Sequence, residues 1–301
     1  MSENFNQLDF AVLGVQKSAT TWIYDCLKDH PQLNMRNSKN EDSYYGGKLY
    51  LANGGDSWYF NQFKQKANGG LKGCISVEYI EDKNSAETLF RHNPEIRLIV
   101  SLRNPTDRAI SAYQWYVRKA LIPDLPIEQG IKEAIKKYKY DAANSTTSKY
   151  GNIIERGFYA KKLQPFMNKF SKEQINIILF ESVKTNSLQI IQSIMSFLKV
   201  DSGFIPPNIN TIPKKNIGFV PLIKLQRQFP KFKAVNKIVD VSNQLLFKKN
   251  PERNYSVKVD QEIIYELNKL YKPSLDALET ILEKINPSLK NTMREYWSKT
   301  K

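Results

Sequence analysis

FAVLGVQKSATTWIYDCLKD, residues Phe10 to Asp29, packs a strand, a polar loop and a helix into one short stretch. Phe10, Ala11, Val12 and Leu13 form the unbroken apolar run of a strand buried on both faces. Gly14 releases the backbone, and Lys17, Ser18, Thr20 and Thr21 follow closely. Trp22, Ile23, Cys26 and Leu27 then recur at helical spacing, with Asp25, Lys28 and Asp29 on the other side. Such a strand–loop–helix presents unpaired backbone N–H groups and a positive helix end to an anion. Lys17 adds a mobile point charge, and the hydroxyls of Ser18, Thr20 and Thr21 add donors. The plain alternative is an ordinary strand–helix turn with polar residues at its surface.

A second stretch, RLIVSLRNPTDRAISAYQWY, repeats that logic from Arg97 onward. Arg97 to Leu102 is a strong strand signal, and Pro105 and Thr106 open a helix running to about Lys119. Arg103 sits where the strand leaves the sheet, with Ser111 in the helix's second turn. An arginine with a serine hydroxyl suits a phosphate monoester, because a guanidinium makes two parallel charge-assisted hydrogen bonds. Arg108 is either a second such group or a solvated helix charge.

Composition narrows the field. The chain has 301 residues, long enough for one large α/β domain or two small ones, with 41% hydrophobic and 25% charged residues. Its 45 basic and 30 acidic side chains leave a net charge of +15, which favours anionic partners without choosing among them. The basic residues are scattered, and no stacking or finger motif marks a specific nucleic-acid binder. Cys26 and Cys74 lack metal or redox spacing and read as buried free thiols. His30 and His92, the only histidines, fall at a helix end and in a turn, so a histidine triad or zinc site is not expected. The first residues, MSENFNQLDF, lack a signal-peptide pattern, and no apolar run is long enough to span a bilayer. A cytoplasmic protein is the expectation.

The two stretches together resemble the cofactor signatures of sulfotransferases that use 3′-phosphoadenosine 5′-phosphosulfate (PAPS). The first matches the spacing G-x-x-K-S/T-x-T-T of the 5′-phosphosulfate loop, with Ala19 where the family commonly has glycine. It is not a Walker A loop, G-x-x-x-x-G-K-S/T, which argues against the rival reading of an ATP-dependent P-loop kinase. The second is similar to the family's 3′-phosphate motif, R-D/N-P-x-D/E-R-x-x-S-x-Y, at Arg103, Asn104, Pro105, Asp107, Arg108, Ser111 and Tyr113. The style is that of the heparan-sulfate and bacterial polysaccharide branch. Order further along the chain fits too: RGFY, a helix, the strand INIILF, Glu181 and a helix from Asn186 to Leu198.

The resemblance implies a single α/β domain over residues 1–301, with a P-loop-like parallel sheet and helices on both faces. It implies a PAPS site (product PAP, adenosine 3′,5′-bisphosphate) made by Gln16, Lys17, Ser18, Ala19, Thr20, Thr21 and Trp22, by Arg103 and Ser111, and by Tyr159. A basic loop in the family closes over the adenosine, and Lys214, Lys215 and Gly218 match it loosely. Lys17 would stabilise the leaving phosphate. The branch takes its general base from a glutamate in the loop after the first helix; Glu41 in SKNEDSYY matches, with Asp42 as fallback. The expected acceptor is a hydroxyl or amine of a carbohydrate or other small glycoconjugate, with no metal. Many relatives read GExSPxYL or EKTPxYF where this chain has GCISVEYI. A polyanion-binding protein without catalysis is the reading from a different class.

Other expectations concern organisation. Ser57 to Phe63 reads as a docked helix, Gly73 to Ile80 as the second strand, and Asn84 to His92 as a short helix. Residues 120–151 read as an insertion, either a lid or a substrate-facing region. ERGFYAKKLQPFMNKF reads as one amphipathic helix, in which Arg156 and Tyr159 either pack or touch ligand. Residues 222–301 read as a helical C-terminal part, with Pro273 splitting Glu262 to Leu282 into a helix pair. Ile223 to Lys249 is either an anion-binding or a solvated cationic segment.

Overall fold

A computed structural model describes residues 6–36, 44–64, 69–211 and 259–298. These divide into two compact units. The first holds the described residues up to Asn104, those from Tyr159 to Thr211 and those from Pro273 on; the second holds Pro105 to Phe158 and the described residues up to Lys272.

The first unit is built on five parallel strands: β1 (Phe10–Gly14), β2 (Leu33–Met35), β3 (Leu71–Ile75), β4 (Arg97–Leu102) and β5 (Ile175–Leu179), in the order β2-β3-β1-β4-β5. β1 lies between β3 and β4, pairing Phe10 with Gly73 on one side and with Arg97 on the other. Every residue of β1 is buried, as its apolar run predicts. Alternation divides its side chains between two cores. Phe10 and Val12 join Ile99, Ile178 and the apolar sides of α1 (Thr20–Leu27) and α10 (Ser187–Leu198). Ala11 and Leu13 join Leu98, Val100, Leu102 and Ile177, covered by α4 (Ser85–His92), α8 (Tyr159–Met167) and the C-terminal helices. Helices on both faces of a parallel sheet are thus observed. A Cβ on Gly73 would fall 1.9 Å from the Phe10 ring, so only glycine fits beside that side chain.

Two short helices, α2 (Lys48–Ala52) and α3 (Asp56–Phe60), sit between β2 and β3. α9 (Phe180–Thr185) follows β5 directly. Cys26 and Cys74 are both buried and free. His30 Nδ1 accepts from the Gln32 N–H at 3.1 Å, leaving Nε2 to donate to the Asp201 carbonyl at 2.9 Å. With the Trp22 indole N–H donating to the Ile209 carbonyl at 2.9 Å, this ties the segment after α10 to the first helix.

The second unit contains α5 (Pro105–Arg118), α6 (Ile127–Asn144), α7 (Lys149–Glu155) and the start of α11 (Gln261–Ile285). Most of the expected insertion is therefore the regular helix α6, which buries Ile127, Ile131, Ala134 and Ile135 on one side. Asp141 staples its end to α7, accepting from the Thr146 hydroxyl at 2.9 Å and the Ser148 hydroxyl at 2.6 Å. Arg108 is not a solvated charge: it is fully buried and donates to the Ile153 carbonyl.

Three boundaries differ from expectation. β2 precedes the strand at Leu71–Ile75, making that strand third. The helix expected through ERGFYAKKLQPFMNKF forms only from Tyr159 to Met167, as α8; its first residue, Glu155, ends α7, and Arg156 to Phe158 part the two. A Cβ on Gly157 would meet the Tyr271 ring at 2.7 Å, so glycine is what fits beside that side chain in the break. Conversely, Pro273 lies inside the continuous helix α11. Pro273 and Lys269 are both exposed, so the carbonyl that loses its helical donor can turn to water. A last helix, α12 (Pro287–Ser298), ends the described chain.

Candidate active site

Chain order reverses around β1: the connections from it lead first toward β3 and β2, then across to β4. In open parallel sheets the crevice beyond the carboxyl ends of such strands receives ligands. The loop after β1 and the residues after β4 leave from those ends.

The β1 loop has an unusual backbone. Lys17 and Ala19 both have positive φ, 73° and 67°, with Ser18 between them outside that region. Alternation of this kind turns consecutive N–H groups toward a common point, forming a nest for an anion. Its carbonyls are gripped from β4. The Ser101 hydroxyl donates to the Ser18 carbonyl at 2.5 Å, and the Arg103 guanidinium donates to the Lys17 carbonyl at 3.2 Å. The Val15 N–H donates to the Ser101 carbonyl at 2.9 Å.

The expected ligands take different places. Ser18 is fully buried, and its hydroxyl donates to the Val15 carbonyl at 2.5 Å, so in this structure that proton braces the loop. Gln16 is buried, with Oε1 lacking a hydrogen-bond partner among the described residues. Thr20 opens α1 and is buried, whereas Thr21 beside it is exposed. Trp22 lies wholly in the core. Tyr159, also buried, donates to the Arg103 carbonyl at 2.7 Å. Ser111 is on α5, in the second unit. Glu41, Asp42, Lys214, Lys215 and Gly218 lie outside the described residues.

Three residues of the first unit complete the surroundings of Arg103. The guanidinium lies over the Phe180 ring at 4.5 Å. Glu181 Oε1 accepts from the Asn104 N–H at 3.0 Å. Ser101 is fully buried. The sequence reading gives neither Ser101 nor Phe180 a role. Their signal was present: a lone serine in an otherwise apolar strand needs an acceptor, and an aromatic residue directly after the neighbouring strand offers a cation a face.

This arrangement can receive an anion: a converging set of N–H groups in the β1 loop, with a restrained guanidinium beside it. Among the described residues, no group of three or more His, Cys, Asp or Glu side chains could hold a metal ion. No helix among them is long and apolar enough to cross a membrane.

Comparison with known proteins is consistent with this chemistry. The membrane-associated sulfotransferase kil1 of Dictyostelium discoideum is 36% identical over 122 residues, 38% of this chain and 25% of that protein. The bifunctional heparan sulfate N-deacetylase/N-sulfotransferase 1 of Caenorhabditis briggsae is 23% identical over 218 residues, 69% of this chain and 24% of that protein. The chain thus spans about a quarter of the length of these two relatives. The heparan sulfate glucosamine 3-O-sulfotransferase 3A1 of Mus musculus is 22% identical over 66% of this chain and 47% of its own. A sulfotransferase from Alicyclobacillus acidocaldarius shares the fold, with a TM-score of 0.66 and 18% identity across 95% of this chain and 99% of that one. The sulfotransferase domain model matches residues 7–279, nearly the whole chain, and the chain therefore belongs to the sulfotransferase family.

Proposed function

We propose that this protein transfers a sulfuryl group from PAPS to a hydroxyl or amine of a carbohydrate acceptor. One observation carries the reading: the N–H nest with Lys17 and the Arg103 guanidinium stand at the carboxyl ends of adjacent strands and are bonded to each other through the Lys17 carbonyl. A nucleotide with an anion on its 5′ side and a phosphate on its 3′ side calls for two such groups. The carbohydrate acceptor is supported by relatives that are named for heparan sulfate.

PAPS, when bound, supplies a sulfuryl group activated by its link to the 5′-phosphate. The protein's part is electrostatic and positional. Loop N–H groups and the Lys17 ammonium hold the 5′ anion and stabilise the negative charge that grows on the departing phosphate oxygen. Arg103 binds the 3′-phosphate and so fixes the nucleotide lengthwise. Glu41, or Asp42 in its place, takes the proton that the acceptor hydroxyl or amine must lose.

The test is titration calorimetry with PAP, using ATP and 5′-AMP as controls. Selective binding of PAP at about micromolar affinity is expected, roughly −8 kcal/mol. Preference for ATP would overturn the reading in favour of a kinase. Binding that tracks only the anionic charge and vanishes with salt would mark a polyanion binder instead.

A further inference from the structure

We propose that Ser101 is a positioning residue for the nucleotide's 5′ anion, acting through the peptide units of the β1 loop rather than by touching the ligand. The inference rests on the nucleotide reading above. Ser101 sits in β4 among Leu98, Ile99, Val100 and Leu102, all fully buried, and is itself fully buried. A hydroxyl in such an interior must find an acceptor, and the Ser18 carbonyl is that acceptor at 2.5 Å. The Ser101 carbonyl meanwhile accepts from the Val15 N–H at 2.9 Å. One strand residue therefore grips the loop at two points, before and after Lys17.

The consequence follows from the peptide bond. In a planar trans unit the C=O and N–H point in opposite directions. With the Ser18 carbonyl turned to β4, the N–H of Ala19 points away from β4. The Arg103 bond to the Lys17 carbonyl does the same for the Ser18 N–H. These are the donors that the alternating backbone at Lys17, Ser18 and Ala19 gathers into a nest. Removing the Ser101 hydroxyl leaves a buried carbonyl without its donor and lets that peptide turn. The donors for the 5′ anion then lose their common aim.

Calorimetric titration with PAP and with adenosine 3′-monophosphate separates this role from a structural one, because only PAP carries the 5′ anion. Ser101→Ala is expected to weaken PAP binding about ten-fold while leaving the 3′-monophosphate unchanged. Ser101→Thr, which keeps the hydroxyl, is expected to restore the preference. Should the alanine variant fail to fold, Ser101→Cys, similar in size with a weaker donor, is expected to show a smaller loss confined to PAP. Equal losses for both nucleotides, or a preference unchanged in the variants, would overturn the role of Ser101. Wild-type protein that does not prefer PAP would overturn the cofactor reading itself, before any variant is made.

Discussion

The Arg103 guanidinium lies 4.5 Å above the Phe180 ring while donating to the Lys17 carbonyl at 3.2 Å. The ring contact and the hydrogen bond together restrain where the group sits. An arginine held in this way is aimed before a ligand arrives. It also couples the start of α9, after β5, to the loop after β1, because one side chain contacts both.

Planarity should therefore matter as much as charge. Arg103→Lys retains the cation but loses the fork and the stacked face, and is expected to weaken PAP binding about ten-fold or more. Phe180→Leu keeps apolar bulk and removes only the π face, worth about 0.5–1 kcal/mol, so a loss of roughly two- to five-fold is expected. Calorimetry checks both. A lysine variant that binds like wild type would rule out planar recognition.

Lys17 and Glu41 are expected to fail in different ways. Lys17→Ala should lower turnover by about 100-fold or more, in the range lost when a transition-state donor is removed. Its melting temperature should barely move, since the loop's carbonyls remain held from β4. Glu41→Gln should spare PAP affinity and abolish transfer. Paired measurement of PAP binding and single-turnover sulfation distinguishes them; a fully active Glu41→Gln enzyme would move the base to Asp42 or elsewhere.

Much of the first unit was legible because its strands are apolar runs bounded by strong punctuation. RLIVSL spans the observed β4 from Arg97 to Leu102, and Phe10 to Leu13 differs from β1 only by Gly14. β2 was missed because Leu33–Met35 is too short to show a period. α6 was missed for another reason: the lysines and tyrosines of KEAIKKYKY mask the spacing of Ile127, Ile131, Ala134 and Ile135. Gly157 and Pro273 misled in opposite directions. One lies in a break between helices where Tyr271 leaves no room for a Cβ, and the other is tolerated because its turn faces water. At the site, motif spacing singles out Lys17 and Arg103, which the structure joins through the Lys17 carbonyl. It did not reveal that the Ser18 hydroxyl is turned to the Val15 carbonyl, because that depends on how the loop folds back on itself.

Ala19 offers a test of the loop's conformation. Its φ of 67° and ψ of 20° lie in the left-handed region, which costs an L-residue with a Cβ about 1–2 kcal/mol. Glycine avoids that cost and loses roughly 0.5–1 kcal/mol of backbone entropy on folding. Ala19→Gly is thus expected to raise the melting temperature slightly, the reverse of the usual effect of such a change. Ala19→Val, β-branched, should lower it. Thermal unfolding of both variants decides, and a stabilising valine would contradict the assigned backbone.

The pH dependence of stability should carry a contribution from His92. Its Nε2 accepts the Leu8 N–H at 2.9 Å, and its ring lies 4.1 Å from that of Tyr45 and 5.9 Å from that of Phe60. Burial holds the imidazole pKa below its usual 6.5, with Asp56 opposing the shift. The unfolded chain therefore takes up a proton near pH 6.5, while the folded protein does so only at lower pH. Between those values the unfolded state binds more protons, so stability rises with pH. The contribution is fully present above the unfolded value and is lost as pH falls through the folded one. Protonation at Nε2 would also remove the acceptor for Leu8. Urea unfolding of wild type and His92→Gln between about pH 5 and pH 8 isolates the effect, since other groups cancel in the difference. The wild-type advantage should shrink toward acid; a difference that stays level or grows as pH falls would show that the folded state does not hold His92 neutral.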